Sequence, residues 1–134
     1  MSKDSWIGVD LDGTLAHYDK WVAWNVIGSV IKPMRERILK WVAEGKTVRI
    51  FTARAGFDKD TCYVTGVDFT KQEVVDVIQT WLVQNGMPPF DVTATKDFRM
   101  VELWDDRCVQ VIPNTGRTLA EEHESEKQAL LGAP

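Results

Sequence analysis

The chain is short of cysteine, of long apolar runs and of excess positive charge, and each shortage excludes a class of protein. Only Cys62 and Cys108 occur in 134 residues, which matches neither a disulfide framework nor a zinc-ligand spacing and fits a reducing, cytoplasmic setting. Lys, Asp or Gly interrupts every apolar stretch well before the ~18 residues a membrane-spanning helix needs. Met1 to Trp6 has no charged start leading into an apolar segment, so no secretory signal is expected. Lysine and arginine number 16 against 20 acidic residues, net −4, which lacks the basic excess of a dedicated nucleic-acid binder. Internal repeats and low-complexity tracts are also missing. What remains is a chain with 44% apolar and 27% charged residues, long enough for one domain with a real core.

Trp6-Ile7-Gly8-Val9 is a short apolar run of the kind that forms a buried strand, and Thr47 to Thr52 is a second. Between them, Met34, Ile38, Trp41 and Val42 make one helical stripe, with Pro33 suited to the first turn and Gly45 to the stop. A better-marked helix follows. Thr70-Lys71-Gln72-Glu73 is a capping box, Val74, Val77, Ile78, Trp81 and Leu82 form the stripe, and Gly86 with Pro88-Pro89 ends it. Further strands are predicted over 91–94, 101–104 and 109–112. The alternation predicts an α/β fold: a Rossmann-like three-layer sandwich with a mainly parallel five-stranded sheet and helices on both faces. Residues 1–116 form the domain, and 117–134 an acidic tail, either a solvated helix or a frayed end. Two stretches lack a clear period: 15–31, a small flap with His17, Tyr18, Trp21 and Trp24, and the polar connection 54–69.

Chemistry-bearing residues sit at the predicted strand ends. Asp10 and Asp12 close the first strand in Asp10-Leu11-Asp12-Gly13-Thr14, and positions i and i+2 of an extended chain point the same way. Thr52 ends the second strand with Arg54 just beyond, Lys96 follows the third, and Asp105-Asp106 ends the fourth. In a parallel sheet all of these gather at one edge, where ligands bind. Clustered carboxylates repel unless a cation lies among them, and an oxygen-only donor set favours Mg²⁺. Mg²⁺ beside a lysine and a hydroxyl points to phosphate chemistry.

Asp10-Leu11-Asp12-Gly13-Thr14-Leu15 resembles the first motif of the haloacid dehalogenase-like phosphohydrolases, and Thr52, Lys96 and Asp105-Asp106 follow in the order and contexts of the other three. The resemblance runs from Trp6 to about Ile112. It implies Asp10 as the nucleophile and Asp12 as the acid and base. Thr52 and Lys96 would hold the phosphoryl oxygens. Mg²⁺ would lie on the Asp10 carboxylate, the Asp12 backbone carbonyl and the Asp105-Asp106 pair. Arg54 is read either as a substrate contact or as a solvated loop residue. The flap is too short for a cap domain, so the site is expected to be open, suiting a bulky substrate or a lid supplied by a second copy. Asp105-Asp106-Arg107 and the short chain are also similar to polynucleotide 3′-phosphatase domains. The implied substrate is a phosphorylated small molecule or a nucleic-acid end, with no membrane involved.

The bland readings differ residue by residue. Trp21 and Trp24 pack unless exposed on the flap, where they would stack on a base; Cys62 and Cys108 lack the basic neighbours of a reactive thiolate. Two other functions compete. A signalling receiver domain also combines acids, a Thr, a Lys and Mg²⁺, but carries its phosphorylated Asp mid-chain after the acid pair, and no such Asp ends the 48–52 strand. An inactive phosphate-binding domain would not need the full acid set.

Overall fold

Trp6–Val9 is buried at all four positions, as expected of a strand covered on both faces. In the computed structural model, which describes residues 4–58, 61–62 and 69–132, this segment is β1, the centre of a parallel sheet. It pairs on one side with β2 (Thr47–Phe51) and on the other with β6 (Met100–Trp104), while β5 (Val92–Thr93) adds beyond β2. Helix α1 (Lys32–Ala43) joins β1 to β2, and α2 (Lys71–Gln84) joins β2 to β5. A two-stranded antiparallel ladder, β3 (Phe57–Asp58) with β4 (Thr61–Cys62), lies apart from the main sheet. Helix α3 (Leu119–Gly132) ends the described chain. The fold is α/β and Rossmann-like, with a four-stranded parallel sheet in the order β5-β2-β1-β6.

The helix signals act as physical chemistry requires. The Thr70 hydroxyl accepts from the Glu73 N–H, and the Glu73 carboxylate accepts from the Thr70 N–H, both at 3.1 Å, which satisfies two of the donors a helix start leaves unpaired. Val74, Ile78 and Leu82 of α2, and Met34, Ile38 and Trp41 of α1, face the core. Val42, expected on the α1 stripe, is exposed.

Two expectations are corrected. The fifth strand does not form: Val109 and Val111 are exposed, and the segment keeps a single bridge, Val111 to Thr118. Its alternating pattern has no strand to pair with, because the chain turns at Pro113 and Asn114, the latter at φ 66°. The third layer is not present among the described residues. The apolar sides of both α1 and α2 merge with Ile7, Val9, Val48 and Ile50 in one core, whereas Trp6, on the opposite side of β1, is not part of it. The reason is topological. Both crossovers step the same way across the sheet, and right-handed crossovers then place their helices on the same face. The β5–β6 connection, which would carry a helix to the other face, is a short turn. That face is covered instead by side chains: the Arg49 guanidinium lies 4.8 Å from the Trp6 ring, and the indole N–H donates to Asp97 at 2.9 Å.

The tail forms a helix with no buried side chain. It starts on a second capping box that the sequence reading passed over. Thr118 and Glu121 exchange backbone-to-side-chain bonds of 3.0 and 3.2 Å. No helix among the described residues is long and apolar enough to cross a membrane.

Candidate functional site

The chain leaves β1 toward β2 and β5 on one side and returns as β6 on the other, so the β1/β6 boundary is where the winding direction reverses. Crevices outside the carboxyl ends of strands at such points are the usual ligand sites of open α/β sheets. Asp10 follows β1 and its N–H donates to the Trp104 carbonyl at 2.8 Å, extending the ladder one step and bringing Asp10 beside Asp105. Carboxylate oxygens of Asp10, Asp105 and Asp106 all lie within 4.8 Å of one another.

The loop after Asp10 is shaped for this. Leu11 and Leu15 are fully buried, and the Leu11 carbonyl accepts from the Leu15 and Ala16 N–H groups at 3.0 and 2.8 Å, which closes the chain into a tight turn. Gly13 sits at φ 92°, and a Cβ there would come 2.5 Å from an Asp106 oxygen. Glycine is therefore needed twice, for the left-handed backbone and for the approach of the acid. The Thr14 hydroxyl donates to Asp10 Oδ2 at 3.3 Å and accepts from the Asp106 N–H at 3.0 Å, bridging the two strand ends. The sequence reading gave Thr14 no role, although it stands inside the first motif.

The cluster has an electrostatic cost. Burial first, then the charge of Asp105 and the hydrogen bond and charge of Asp106, push the Asp10 carboxyl from 3.8 up to about 7, against the opposing Thr14 hydrogen bond. The nearby Cys108 thiol is pushed up as well, by burial and then by the three aspartates, so it is not a reactive thiolate. Three clustered carboxylates, that of Asp10 partly buried, are a donor set that could hold a hard divalent cation.

Asp12 behaves differently. Its carboxylate stands outside the cluster, and both oxygens accept from Arg54, Oδ2 from Nε at 2.7 Å and Oδ1 from Nη2 at 2.9 Å. The three aspartates expected to offer carboxylates to a metal bring their side chains together; Asp12, expected to offer its backbone carbonyl, turns its carboxylate to Arg54. Arg54 is 5% exposed, not a solvated loop residue. Its guanidinium also donates to the Trp24 and Val26 carbonyls at 3.1 and 2.9 Å and lies 4.8 Å from the Trp21 ring. Thr52 is buried at the end of β2, where its hydroxyl accepts from the Arg54 N–H at 3.2 Å.

Asp10, Asp12, Thr52, Arg54 and Asp105 share a cleft of about 480 Å³, with Tyr18, Trp21, Phe51 and Arg107 on its walls. Lys96 is not brought there. It is exposed and lines a separate cavity of about 760 Å³ beyond Asp105. Asp97 explains the displacement: one oxygen accepts from the Trp6 indole and from the Arg99 N–H, pinning the turn to the opposite face of the sheet. Trp24 is stacked on Phe69 with centroids 4.8 Å apart, so it packs rather than waits for a base. A cavity of about 490 Å³ between Asn25–Ile27 and α2 has no carboxylate cluster in its wall.

The fold and site thus define an α/β protein with an acidic cleft at the carboxyl edge of a parallel sheet. No family model and no curated protein matches the chain. It is similar to a solved structure of a conserved protein from Bacteroides thetaiotaomicron, with 19% identity, a TM-score of 0.51, and 94% of this chain and 93% of that chain covered. That likeness concerns the fold alone.

Proposed function

We propose that this protein is a Mg²⁺-dependent phosphomonoester hydrolase of the haloacid dehalogenase-like type, working through an aspartyl-phosphate on Asp10. The observation that carries the reading is the meeting of Asp10, Asp105 and Asp106 at the β1/β6 boundary. Asp10 and Asp105 both face the cluster and the cleft, and Asp10 is the one that opens the Asp-x-Asp motif. Its carboxylate oxygen attacks phosphorus in line and the bond to the leaving oxygen breaks. Asp12, carrying a proton on one oxygen in place of one of its two Arg54 hydrogen bonds, gives the leaving oxygen that proton, then takes one from the water that releases phosphate and restores Asp10. The Thr52 hydroxyl, which accepts from Arg54 through its oxygen, keeps its own proton for a phosphoryl oxygen. A cation held by Asp10, Asp105 and Asp106 supplies neutralisation of the phosphate charge. Lys96, exposed and lining the neighbouring cavity with Asp105, is assigned no contact in this scheme.

The aromatic walls, Tyr18, Trp21 and Phe51, favour a nucleotide or polynucleotide 3′-phosphate among the phosphorylated substrates an open cleft admits. The test is hydrolysis of an aryl phosphate with Mg²⁺ and of 3′-phosphorylated oligonucleotides. Asp10→Asn is expected to lower the rate roughly 10³-fold or more, and a chelator to abolish it. Unchanged turnover in the Asn variant would remove the nucleophile. A phospho-protein lasting minutes without turnover would identify a phosphate-accepting domain instead.

A further inference from the structure

Arg54 is separated from Asp12 by 42 positions, yet the two form a two-pronged ion pair in which the arginine side chain is 6% and the aspartate 20% exposed. A guanidinium so far from water is costly unless its donors are engaged. Among the described residues, its partners beyond Asp12 include three groups of the flap: the carbonyls of Trp24 and Val26 and the face of Trp21.

The flap is otherwise held at its base. The Ile31 N–H donates to the Leu15 carbonyl at 2.7 Å and the His17 N–H to the Ser29 carbonyl at 2.8 Å. These bonds bring the two arms so close that a Cβ on Gly28 would fall 1.9 Å from the His17 oxygen. Trp81 of α2 donates to the Gly28 carbonyl at 3.1 Å. Beyond that base, the tip from Trp21 to Val26 is held by the stacking of Trp24 on Phe69 and is joined to the catalytic floor through Arg54. Asp12, Tyr18 and Arg54 line both the 480 Å³ cleft and a second cavity of about 210 Å³ beneath the flap, so the ion pair is the wall between them.

We infer that Arg54 is a positioning residue rather than a phosphate ligand: it makes the placement of Asp12 conditional on a seated flap. Lifting the tip breaks the hydrogen bonds of Trp24 and Val26 with the same guanidinium that aligns the carboxylate, so flap opening and release of Asp12 are one event. A planar fork is needed, because one ammonium cannot span two carboxylate oxygens and two carbonyls. The chemical part of this inference rests on the function proposed above; the coupling of flap to Asp12 does not.

Two measurements test it. Amide hydrogen exchange over 17–29 is expected to speed up by the same factor in Arg54→Ala and Asp12→Asn, with no further gain in the double variant; unchanged exchange in Asp12→Asn overturns the coupling even if the arginine variant folds poorly. In kinetics, Arg54→Ala is expected to lose about 10²-fold in kcat on an alkyl phosphate, whose leaving oxygen needs a proton, and less than about 10-fold on p-nitrophenyl phosphate, which does not. KM should change little, added guanidinium should restore the alkyl rate, and Arg54→Lys should not. Equal losses on both substrates with a raised KM would make Arg54 a phosphate ligand and overturn the inference. Absence of hydrolysis by the unaltered protein would remove the proposed function and leave hydrogen exchange to decide the coupling.

Discussion

Asp10 and Asp12 stand two residues apart on one loop and face opposite environments. Asp10 meets two other acids and its carboxyl is pushed up to about 7, chiefly by burial. Asp12 meets a buried guanidinium on both oxygens. The first half of the site brings like charges together, while in the second a carboxylate is paired with a guanidinium of the chain itself. The difference teaches that the two carboxylates of an Asp-x-Asp motif need not share one target, even though the extended backbone aims them alike.

The sharpest way to break this contrast is truncation. Asp12→Ala leaves the Arg54 charge buried and should cost about 3 kcal/mol of stability, whereas Asp10→Asn should raise the urea midpoint of the cation-free protein above pH 7. Matching signs in the two variants would abolish the distinction. Gly13→Ala forces φ 92° on a side chain that would meet Asp106. We expect a loss of about 1–2 kcal/mol and a weakened cation site, with the Arg54 half intact by hydrogen exchange.

The pH dependence separates the halves further. A carboxyl raised from 3.8 to about 7 binds its proton more tightly in the folded state. Its contribution is fully present below 3.8 and is lost as pH rises through about 7. Cation-free protein should therefore lose stability across that window, and Mg²⁺ should restore it most at the alkaline end. Below about 7 proton and cation compete, so calorimetric affinity should fall toward tenfold per pH unit; a flat profile would detach Asp10 from the cation. The smallest effect is that of Thr14→Val. Losing the bridge to Asp10 and Asp106 should cost about 1 kcal/mol and move the midpoint of that competition upward, since the hydroxyl holds the Asp10 carboxyl down.

Much of the fold was legible because its signals are local. The apolar run 6–9, the Thr70-Glu73 box and the stops at Gly45 and Gly86 each act within a few residues. The strand expected at 109–112 failed because alternation describes a strand without supplying its neighbour. The third layer failed because helix placement depends on the direction of successive crossovers, which composition does not encode. At the site, Asp10, Asp105 and Asp106 were legible from strand ends alone. Lys96 was not, since Asp97 draws its turn elsewhere. Arg54 was noticed without its role, because its partners lie 28 to 42 positions away.

Four aspartates at or beside one cleft, and a tail with four Glu against one Arg and one Lys, account for the acidic balance, so that balance says little about a nucleic-acid end as substrate. By itself the sequence determined the strand ends, the helix caps and the identity of the acids, because these depend on backbone conformation and periodicity within a few residues. Only the tertiary structure decided which acid joins the carboxylate cluster and which meets Arg54. That choice is made by side chains distant in sequence, and burial sets the cost of leaving any of them unpaired.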